Sequence, residues 1–391
     1  MPSSTAAIIP TYNRAAMLRE CIESLLKQSR PLQQIIIVND GSTDNTESIV
    51  QAFGDRVMLV NKANGGKASA INVGLTHCQS DYVWICDDDD IAAADGLEYL
   101  ASALDADDTA GFSYGTFKIF RDTKAGRIYT PPTYWLREGE PDIHLQFLEE
   151  MFTFQYAMLV RRSLYEKLGP FREDLIRSQD HEMAIRLARS AKAVYVPEVI
   201  FFQRAHEAQR GTQAGSFAAR ANAQKWLEYG QTIITGIREN YRLEEFTPTF
   251  ARNWDAPLAK RAALLERACI SAERAMWPEA IEDLRQAASL SPSPARPEEI
   301  GLAEAVIRQA LPWRILADNS GWIDSLGACY RANAYGRDIL HAACRPLVWH
   351  ARKMLQKGDI AGGIGMLKLM ASILGMGGMC SRLVGSVQKR T

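Results

Sequence analysis

The chain has 391 residues, of which 47% are hydrophobic, and its 45 Lys and Arg nearly balance its 46 Asp and Glu. This composition is typical of a soluble globular enzyme and excludes a wholly disordered, collagen-like or disulfide-scaffold protein. The net charge of −1 argues against a protein that coats nucleic acid, because such a protein needs a broad excess of basic residues. We therefore expect no nucleic-acid partner and only local charged sites.

Short β-rich segments alternate with helical segments from residue 6 to about residue 202, which predicts a mostly parallel sheet flanked by helices. The predicted strands are 6–9, 35–38, 57–60, 82–86, 111–120 and 194–196. The predicted crossover helices are 14–27, 46–53 and 68–76. In open sheets of this class, ligands bind at the carboxyl ends of the parallel strands.

The second half of the chain has a different composition. After about residue 207 the strand signals stop, and segments rich in Ala, Leu, Arg and Glu take over. We therefore divide the chain into an α/β domain of residues 1–215 and an all-helical domain of residues 216–391. Ala268 and Ile281 are matched 83 residues later by Ala351 and Ile364, which indicates two similar helical hairpins.

The C-terminal segment is strongly basic. Residues 341–391 carry eight Lys and Arg against one acid, Asp359, which gives a local net charge of +7. Within this tail, residues 360–381 are apolar apart from Lys368. Three interpretations stay open: a packed helical hairpin, a basic helix lying on an anionic membrane face, and a membrane-spanning helix, against which Lys368 argues.

The seven cysteines are odd in number and never spaced as CxxC. This pattern predicts reduced thiols in a cytosolic protein, without a zinc cluster or a disulfide framework. The first residues lack the basic region and long apolar region of a secretory signal, so we expect an uncleaved cytoplasmic chain.

Four consecutive carboxylates, Asp87, Asp88, Asp89 and Asp90, directly follow the predicted strand 82–86. Adjacent carboxylates repel one another strongly unless a cation lies among them. A hard divalent ion such as Mn²⁺ or Mg²⁺ prefers oxygen ligands of this kind. The sequence therefore predicts a metal site here, with a solvated acidic turn as the alternative.

Polar groups also follow the first predicted strand, which we expect to break at Pro10. Thr11, Tyr12 and Arg14 then bring hydroxyl, aromatic and guanidinium groups to the same edge of the sheet. Such groups suit stacking on a base and contacts with phosphates. A simple helix start with a capping side chain is an equally good interpretation of this segment alone.

Two more loops add candidate ligand contacts. Asp40, after the second strand, can accept a hydrogen bond from a base imide or a ribose. Gly66 permits close backbone approach, and Lys67 can reach a phosphate. Neither GxxxxGK[ST] nor GxGxxG is present, so the sequence does not support a P-loop or a dinucleotide-binding fold.

Taken in order, these motifs resemble the nucleotide-sugar half of family 2 glycosyltransferases, which have the GT-A fold. The resemblance covers about residues 5–210 and includes the segments 158–163, 167–171 and 178–182. It implies a GT-A nucleotide-diphospho-sugar transferase that inverts configuration as it moves a sugar to an acceptor hydroxyl. The implied partners are a nucleoside diphosphate sugar, with UDP- or dTDP-sugars favoured, and a bound Mn²⁺ or Mg²⁺.

The resemblance also implies roles for residues of the donor site. Asp87 and Asp89 match the two carboxylates of the DxD motif, of which the first faces the ribose and the second binds the metal. Asp88 and Asp90 are additional acids, so the pair that holds the ion stays open, and we assign Asp88 to donor binding. The remaining residues assigned to the donor pocket are Pro10, Thr11, Tyr12, Arg14, Asp40, Gly66 and Lys67.

On the acceptor side, family members carry an acidic dipeptide whose Asp is the general base. Here the matching pair is Gln179 and Asp180, so Asp180 is the expected base and its usual acidic neighbour is lost. The alternative is that Asp180 only caps a helix. By the same resemblance, Arg204 or Arg210 neutralises phosphate charge and His206 is a metal ligand, although an isolated His is often structural.

The acceptor site is expected between residues 120 and 154, where aromatic residues such as Tyr129 and Trp135 interrupt regular structure. The alternative is that these aromatic residues only pack against the helical domain. The expected acceptor is a bacterial surface glycan or its lipid-linked precursor, and the basic tail predicts a peripheral position on the inner face of the cytoplasmic membrane. One alternative function is a nucleotidyltransferase of a related α/β fold. Another is a non-catalytic scaffold that keeps the nucleotide-sugar fold.

Overall fold

The structure is a computed structural model that describes residues 3–131, 142–205, 222–305 and 310–385. The chain divides into two compact units, Met1–Trp226 and Leu227–Thr391. The first unit is built on one β-sheet, and the second consists of helices in its described part.

The sheet of the first unit has nine strands in the order β3-β2-β1-β4-β8-β6-β9-β5, with β7 paired to β6. The strands are β1 (Thr5–Thr11), β2 (Gln34–Asn39), β3 (Met58–Asn61), β4 (Tyr82–Ile85), β5 (Ile91–Ala92), β6 (Ala110–Thr123), β7 (Gly126–Thr130), β8 (Met158–Arg161) and β9 (Lys192–Arg204). The first four strands run parallel, whereas β8 is antiparallel to both β4 and β6. The sheet is therefore mixed, and its parallel half is the part with predicted crossover helices.

In the described part of the first unit, seven α-helices flank this sheet: α1 (Ala15–Leu26), α2 (Thr46–Gln51), α3 (Lys67–His77), α4 (Gly96–Asp105), α5 (Ile143–Glu149), α6 (Arg162–Leu168) and α7 (Gln179–Ser190). α1 buries one stripe of side chains at helical spacing, Leu18, Cys21, Ile22 and Leu25. β1 and β2 are buried along almost their whole length, which explains their nearly continuous apolar sequences. Helices thus cover both faces and leave the carboxyl ends of the parallel strands for polar loops.

The first strand does not break at Pro10, contrary to the expectation from the sequence. β1 continues to Thr11, whose carbonyl accepts a hydrogen bond from the Asp40 N–H over 2.9 Å. Alternate residues of a strand bond to opposite neighbours, so Pro10 faces β4 and its missing N–H leaves the ladder to β2 intact. The strand is interrupted on one side only.

The second unit contains α8 (Asn222–Asn240), which begins just before the division, α9 (Ala256–Glu273), α10 (Trp277–Leu290), α11 (Pro297–Ala305), α12 (Ala310–Ala317), α13 (Ser320–Ala332), α14 (Ala334–Ala343), α15 (Arg345–Gln356) and α16 (Ile360–Gly385). Side-chain caps begin several of them: Asp255, Asn319 and Asn333 accept hydrogen bonds from the first turns of α9, α13 and α14. The two segments related by the 83-residue spacing lie on the packed pairs α9–α10 and α15–α16.

A buried ion pair lies inside the second unit. Arg261 donates to both carboxylate oxygens of Glu299, over 2.9 and 2.6 Å, and both side chains are fully buried. The Arg261 guanidinium also lies 4.3 Å from the centre of the Tyr335 ring. This pair joins α9 to α11 through a bidentate contact.

No helix in the described ranges is long and apolar enough to cross a bilayer. α16 bends at Gly375, where φ is +71°, so the apolar segment of the tail is not one straight helix.

Candidate active site

The acidic loop Asp87–Asp90 begins where β4 leaves the sheet. The Cys86 N–H donates to the Ile8 carbonyl over 2.9 Å, which is the last rung between β4 and β1. The next rung would need a hydrogen on the nitrogen of residue 10, and proline has none. The chain therefore turns away from the sheet after Cys86 and brings its carboxylates to the edge.

One of the four carboxylates, Asp88, is tied to the end of β1. Asp88 is 4% exposed and accepts hydrogen bonds from Thr11 Oγ1 over 2.8 Å and from Arg14 Nη1 over 2.9 Å. Burial raises the pKa of Asp88 to about 6, although the charge of Arg14 opposes this effect. Asp88 thus holds the β1 loop against the acidic loop.

The other three carboxylates lie close enough together to be ligands of one metal ion. Asp87, Asp89 and Asp90 each offer one carboxylate oxygen within 4.8 Å of the other two. Three carboxylate oxygens at this spacing fit a hard divalent cation such as Mn²⁺ or Mg²⁺. The structure therefore groups Asp90, rather than Asp88, with Asp87 and Asp89.

Two cations partly neutralise the acidic loop. Arg14 Nη1 lies 2.9 Å from carboxylate oxygens of both Asp88 and Asp89, and Lys67 Nζ donates to Asp87. Burial lowers the pKa of both cations, but the carboxylates outweigh it and raise both pKa values above the ordinary range. Arg14 and Lys67 therefore stay charged.

Asp180 lies in the first turn of α7 and is half-buried. Burial raises its pKa, the charge of Lys67 lowers it, and the charge of Asp87 raises it further. Ser178, with φ of +62°, turns the chain into the helix, and the His181 N–H donates to Asp180 Oδ1 over 2.9 Å. Lys67 thus acts electrostatically on both the acidic loop and Asp180.

Asp40 forms a second polar centre after β2, and it is 4% exposed. Its Oδ1 accepts from Lys62 Nζ over 2.6 Å and from the Gly65 N–H over 2.9 Å, while Oδ2 accepts from the Gly66 N–H over 2.8 Å. Gly66 has φ of +91°, a conformation that favours glycine. A carboxylate has about four acceptor positions, and the described residues fill three, so Oδ2 keeps capacity for one ligand N–H or O–H.

Arg204 is buried among side chains of the first unit. It is 7% exposed, its guanidinium donates to Asp122 and lies 3.2 Å from Glu20, and it stacks 4.6 Å from the Phe120 ring centre. The pairing of β9 with β6 puts Arg204 beside Phe120, which directs the guanidinium toward these acids. These contacts hold the Arg204 side chain in place, and its expected role toward a phosphate stays a prediction.

The structure thus brings the predicted site residues together in two groups. The first group consists of Thr11, Arg14, Asp88 and Asp89. The second group consists of Lys67, Asp87 and Asp180. Tyr12 follows β1 and is half-buried. His206, Arg210 and Trp135 lie outside the described residues, so their expected roles stay predictions. The sequence analysis misses Lys62, the ion-pair partner of Asp40, because a basic residue just after a strand carries no specific signal.

Comparisons with known proteins agree with this architecture. The model of glycosyl transferase family 2 matches residues 6–169. An uncharacterized glycosyltransferase of Rickettsia typhi is 30% identical over 203 residues, which are 52% of this chain and 64% of that protein. The chain therefore spans less than two thirds of the length of this relative.

Among solved structures, TarS 1–349 of S. aureus has a TM-score of 0.51 at 16% identity, covering 91% of this chain and 92% of that one. The same TarS segment in complex with UDP-GlcNAc has a TM-score of 0.50 at 18% identity, with coverages of 95% and 90%. At these identities the likeness concerns the fold, which is GT-A with a helical C-terminal region.

Proposed function

We propose that the protein is a metal-dependent, inverting glycosyltransferase, and the match of residues 6–169 to the model of glycosyl transferase family 2 supports this. It moves a sugar from a nucleoside diphosphate sugar to an acceptor hydroxyl. One observation carries the proposal: Lys67 donates a hydrogen bond to Asp87 of the carboxylate set, and the charge of Lys67 also lowers the pKa of Asp180. The same cation, Lys67, therefore acts on both the donor-binding Asp87 and the candidate base Asp180.

The donor is a UDP- or dTDP-sugar. The remaining acceptor capacity of Asp40 Oδ2 supports this choice, because uracil and thymine both present an imide N–H. Tyr12 and Thr11 complete the base pocket, together with the backbone of Pro10 and Gly66. The complex of TarS with UDP-GlcNAc, a protein of similar fold, also supports a UDP-linked donor.

The cofactor is Mn²⁺ or Mg²⁺, held by Asp89 with Asp87 and Asp90. When bound, the ion supplies positive charge that stabilises the leaving diphosphate. Lys67 and Arg14 form ion pairs with these carboxylates, and they assist in binding the donor phosphates. His206 remains a proposed additional ligand.

Asp180 is the general base. As the acceptor oxygen attacks the anomeric carbon, the bond from that carbon to the diphosphate breaks, and the acceptor proton moves to the Asp180 carboxylate. Attack from the side opposite the leaving group inverts the configuration. Burial of Asp180 raises its pKa and so strengthens it as a proton acceptor, while Lys67 keeps it ionised.

A thermal-shift panel of UDP, dTDP, GDP and CDP, with and without Mn²⁺, tests the donor site. A ligand at about 100 times its Kd stabilises the native state by roughly 2.7 kcal/mol. We expect one nucleotide to raise the melting temperature of the wild type in the presence of Mn²⁺, and Asp89→Ala to abolish this shift. Asp108→Ala is the control and should keep the shift, because the Asp108 side chain is fully exposed. Absence of any shift would remove the basis of the transferase proposal and favour a scaffold.

The chemistry needs a second test. Asp180→Asn should keep the nucleotide shift and lower kcat for sugar transfer by about 10² to 10⁴, the usual contribution of a positioned base. Glu182→Gln is the matched control, because Glu182 lies on the same turn of α7 and pairs with Arg186. Equal losses in both variants would argue against Asp180 as the base.

The acceptor is a bacterial surface glycan or its lipid-linked precursor, and the protein acts in the cytoplasm at the inner face of the cytoplasmic membrane. The basic C-terminal tail, with its +7 net charge over residues 341–391, supports this location. Full activity on lipid-free acceptors together with no binding to anionic vesicles would contradict it.

A further inference from the structure

α15 has one face that packs inward and one that does not. Leu347, His350, Ala351 and Met354 are buried, at the spacing of one helical stripe, and the three apolar ones belong to the core of the second unit. The opposite side, which we call the outer face of α15, consists of Arg345, Val348, Trp349, Arg352, Lys353, Leu355 and Gln356. All seven of these residues are exposed.

The outer face of α15 is unusually apolar for a solvated helix surface. Val348 is 42% exposed, Trp349 is 54% exposed and Leu355 is 41% exposed. On an ordinary amphipathic helix the side away from the core carries polar residues. A large exposed Trp among aliphatic side chains indicates a surface that becomes covered.

The start of α16 extends this surface. Ile360 is 63% exposed and Ile364 is 44% exposed. The Leu355 side chain lies against Gly363, since a Cβ on that glycine would be 2.7 Å from Leu355 Cγ, so the exposed apolar groups of the two helices adjoin. Of the thirteen large hydrophobic side chains exposed in the described ranges, five fall between residues 348 and 364, which makes this a concentrated patch.

The charges of the patch are mainly positive. Residues 345–368 carry five Lys and Arg, namely Arg345, Arg352, Lys353, Lys357 and Lys368, and one acid, Asp359. Asp359 lies 3.5 Å from Arg314, and Arg345 pairs with Glu304 outside this segment. Lys353 Nζ lies 4.5 Å from the centre of the Trp349 ring, so a cation borders the largest apolar side chain. Aromatic and aliphatic groups edged by Lys and Arg are the composition of helices that lie in a membrane interface.

We propose that the outer face of α15 and the first two turns of α16 bind an anionic phospholipid surface. Trp349, Leu355 and Ile360 enter the boundary between head groups and acyl chains, and Arg352, Lys353 and Lys357 contact lipid phosphates. This inference rests on the proposed function and specifies which surface of the protein contacts the membrane. A second copy of the chain fits the patch poorly, because a twofold contact would bring cations against cations.

Co-sedimentation of the full chain with vesicles tests the proposal. The vesicles contain phosphatidylcholine alone, or phosphatidylcholine with about 30% phosphatidylglycerol. We expect binding to the anionic vesicles only, weakened by 0.5 M salt because exposed charges are screened. The double variant Arg352→Gln/Lys353→Gln should lower the partition coefficient about 30-fold, since each cation near an anionic surface contributes about fivefold.

Trp349→Ala should weaken binding at any salt concentration, because it removes apolar area and not charge. The matched control is Arg252→Gln/Lys260→Gln, two exposed cations of the same unit near the start of α9. Equal binding of wild type to neutral and anionic vesicles, or equal losses in test and control variants, would overturn the proposal. So would a dimer in solution that both Trp349→Ala and Arg352→Gln/Lys353→Gln disrupt.

The two proposals fail separately. The nucleotide thermal shift and sugar transfer to a lipid-free acceptor, measured on the same variants, should stay at wild-type level. If vesicles bind but no nucleotide shifts the protein, the transferase proposal fails and the membrane surface stands. If nucleotide and transfer are normal but anionic vesicles do not bind, the membrane surface is wrong.

Discussion

The main-chain N–H of Arg204 donates a hydrogen bond to Asp90 Oδ1 over 2.8 Å, at the end of β9. The side chain of the same arginine donates from Nε to the Asp89 carbonyl over 3.0 Å. One residue therefore fixes two consecutive positions of the acidic loop, and Asp122 and Glu20 fix the guanidinium in turn. We regard Arg204 as a positioning residue of the proposed metal site.

Arg204→Gln should raise the apparent Kd for Mn²⁺ about 10- to 100-fold, the usual effect of losing a group that orients metal ligands. Calorimetric titration of Mn²⁺ in the presence of the nucleotide measures it. Arg127→Gln is the control, because Arg127 contacts the same Glu20 and Asp122 but lies further out, with its side chain 35% exposed. Equal metal affinity in both variants would contradict the role of Arg204.

Lys67→Gln should move the acidic limb of the pH profile of kcat/KM to higher pH. Lys67 lowers the pKa of Asp180, so its removal raises that pKa further and the base is protonated over a wider acidic range. The variant should also bind the donor more weakly. Lys62→Gln removes a cation near Asp40 instead, and an equal pH shift there would rule out this explanation.

Asp88→Asn should stabilise the ligand-free protein at pH 7.5 by roughly 1–3 kcal/mol while lowering activity. Folding raises the pKa of Asp88 from its ordinary value of 3.8 to about 6. The free energy of unfolding of the wild type therefore falls as the pH rises from 3.8 to about 6. The gain should accordingly vanish below about pH 4. Urea unfolding with EDTA at several pH values measures it, and Asp108→Asn, fully exposed, should show no such dependence.

Glu299→Ala should cost about 3–5 kcal/mol of unfolding free energy, because it leaves the fully buried Arg261 without its partner. Denaturant unfolding of the full chain measures the loss. Replacing both residues, as Arg261→Met/Glu299→Leu, should recover most of it, since a buried pair contributes little beyond an apolar packing of similar volume. A double variant as unstable as the single one would show that the pair is needed for more than charge balance.

The parallel half of the sheet follows from local sequence, because β1, β2 and β4 are apolar segments that end in polar loops. β7 is exposed at every position, so its sequence lacks the alternation that marks a half-buried strand. β5 has only two residues and pairs with β9, more than a hundred positions later, which local pattern does not reveal. Partners of this kind depend on the fold as a whole.

The same limit applies to the site. The residue types and order of Asp40, Asp87, Asp89 and Asp180 indicate where polar chemistry gathers, but not which carboxylates face one another. Asp88 accepts a hydrogen bond from Thr11, whereas an Asp90 oxygen lies close to those of Asp87 and Asp89, and this division depends on the path of the loop after Cys86. The position of Arg204 likewise depends on the register between β9 and β6.

Pro10 has no N–H, and the acidic loop depends on this missing hydrogen-bond donor. Any other residue at this position would offer an N–H to the Cys86 carbonyl and extend the pairing of β1 with β4 by one rung. The carboxylates after Cys86 would then be drawn into a regular strand, where successive side chains point to opposite faces. The gathered acidic loop therefore depends on a residue that need touch neither sugar nor metal.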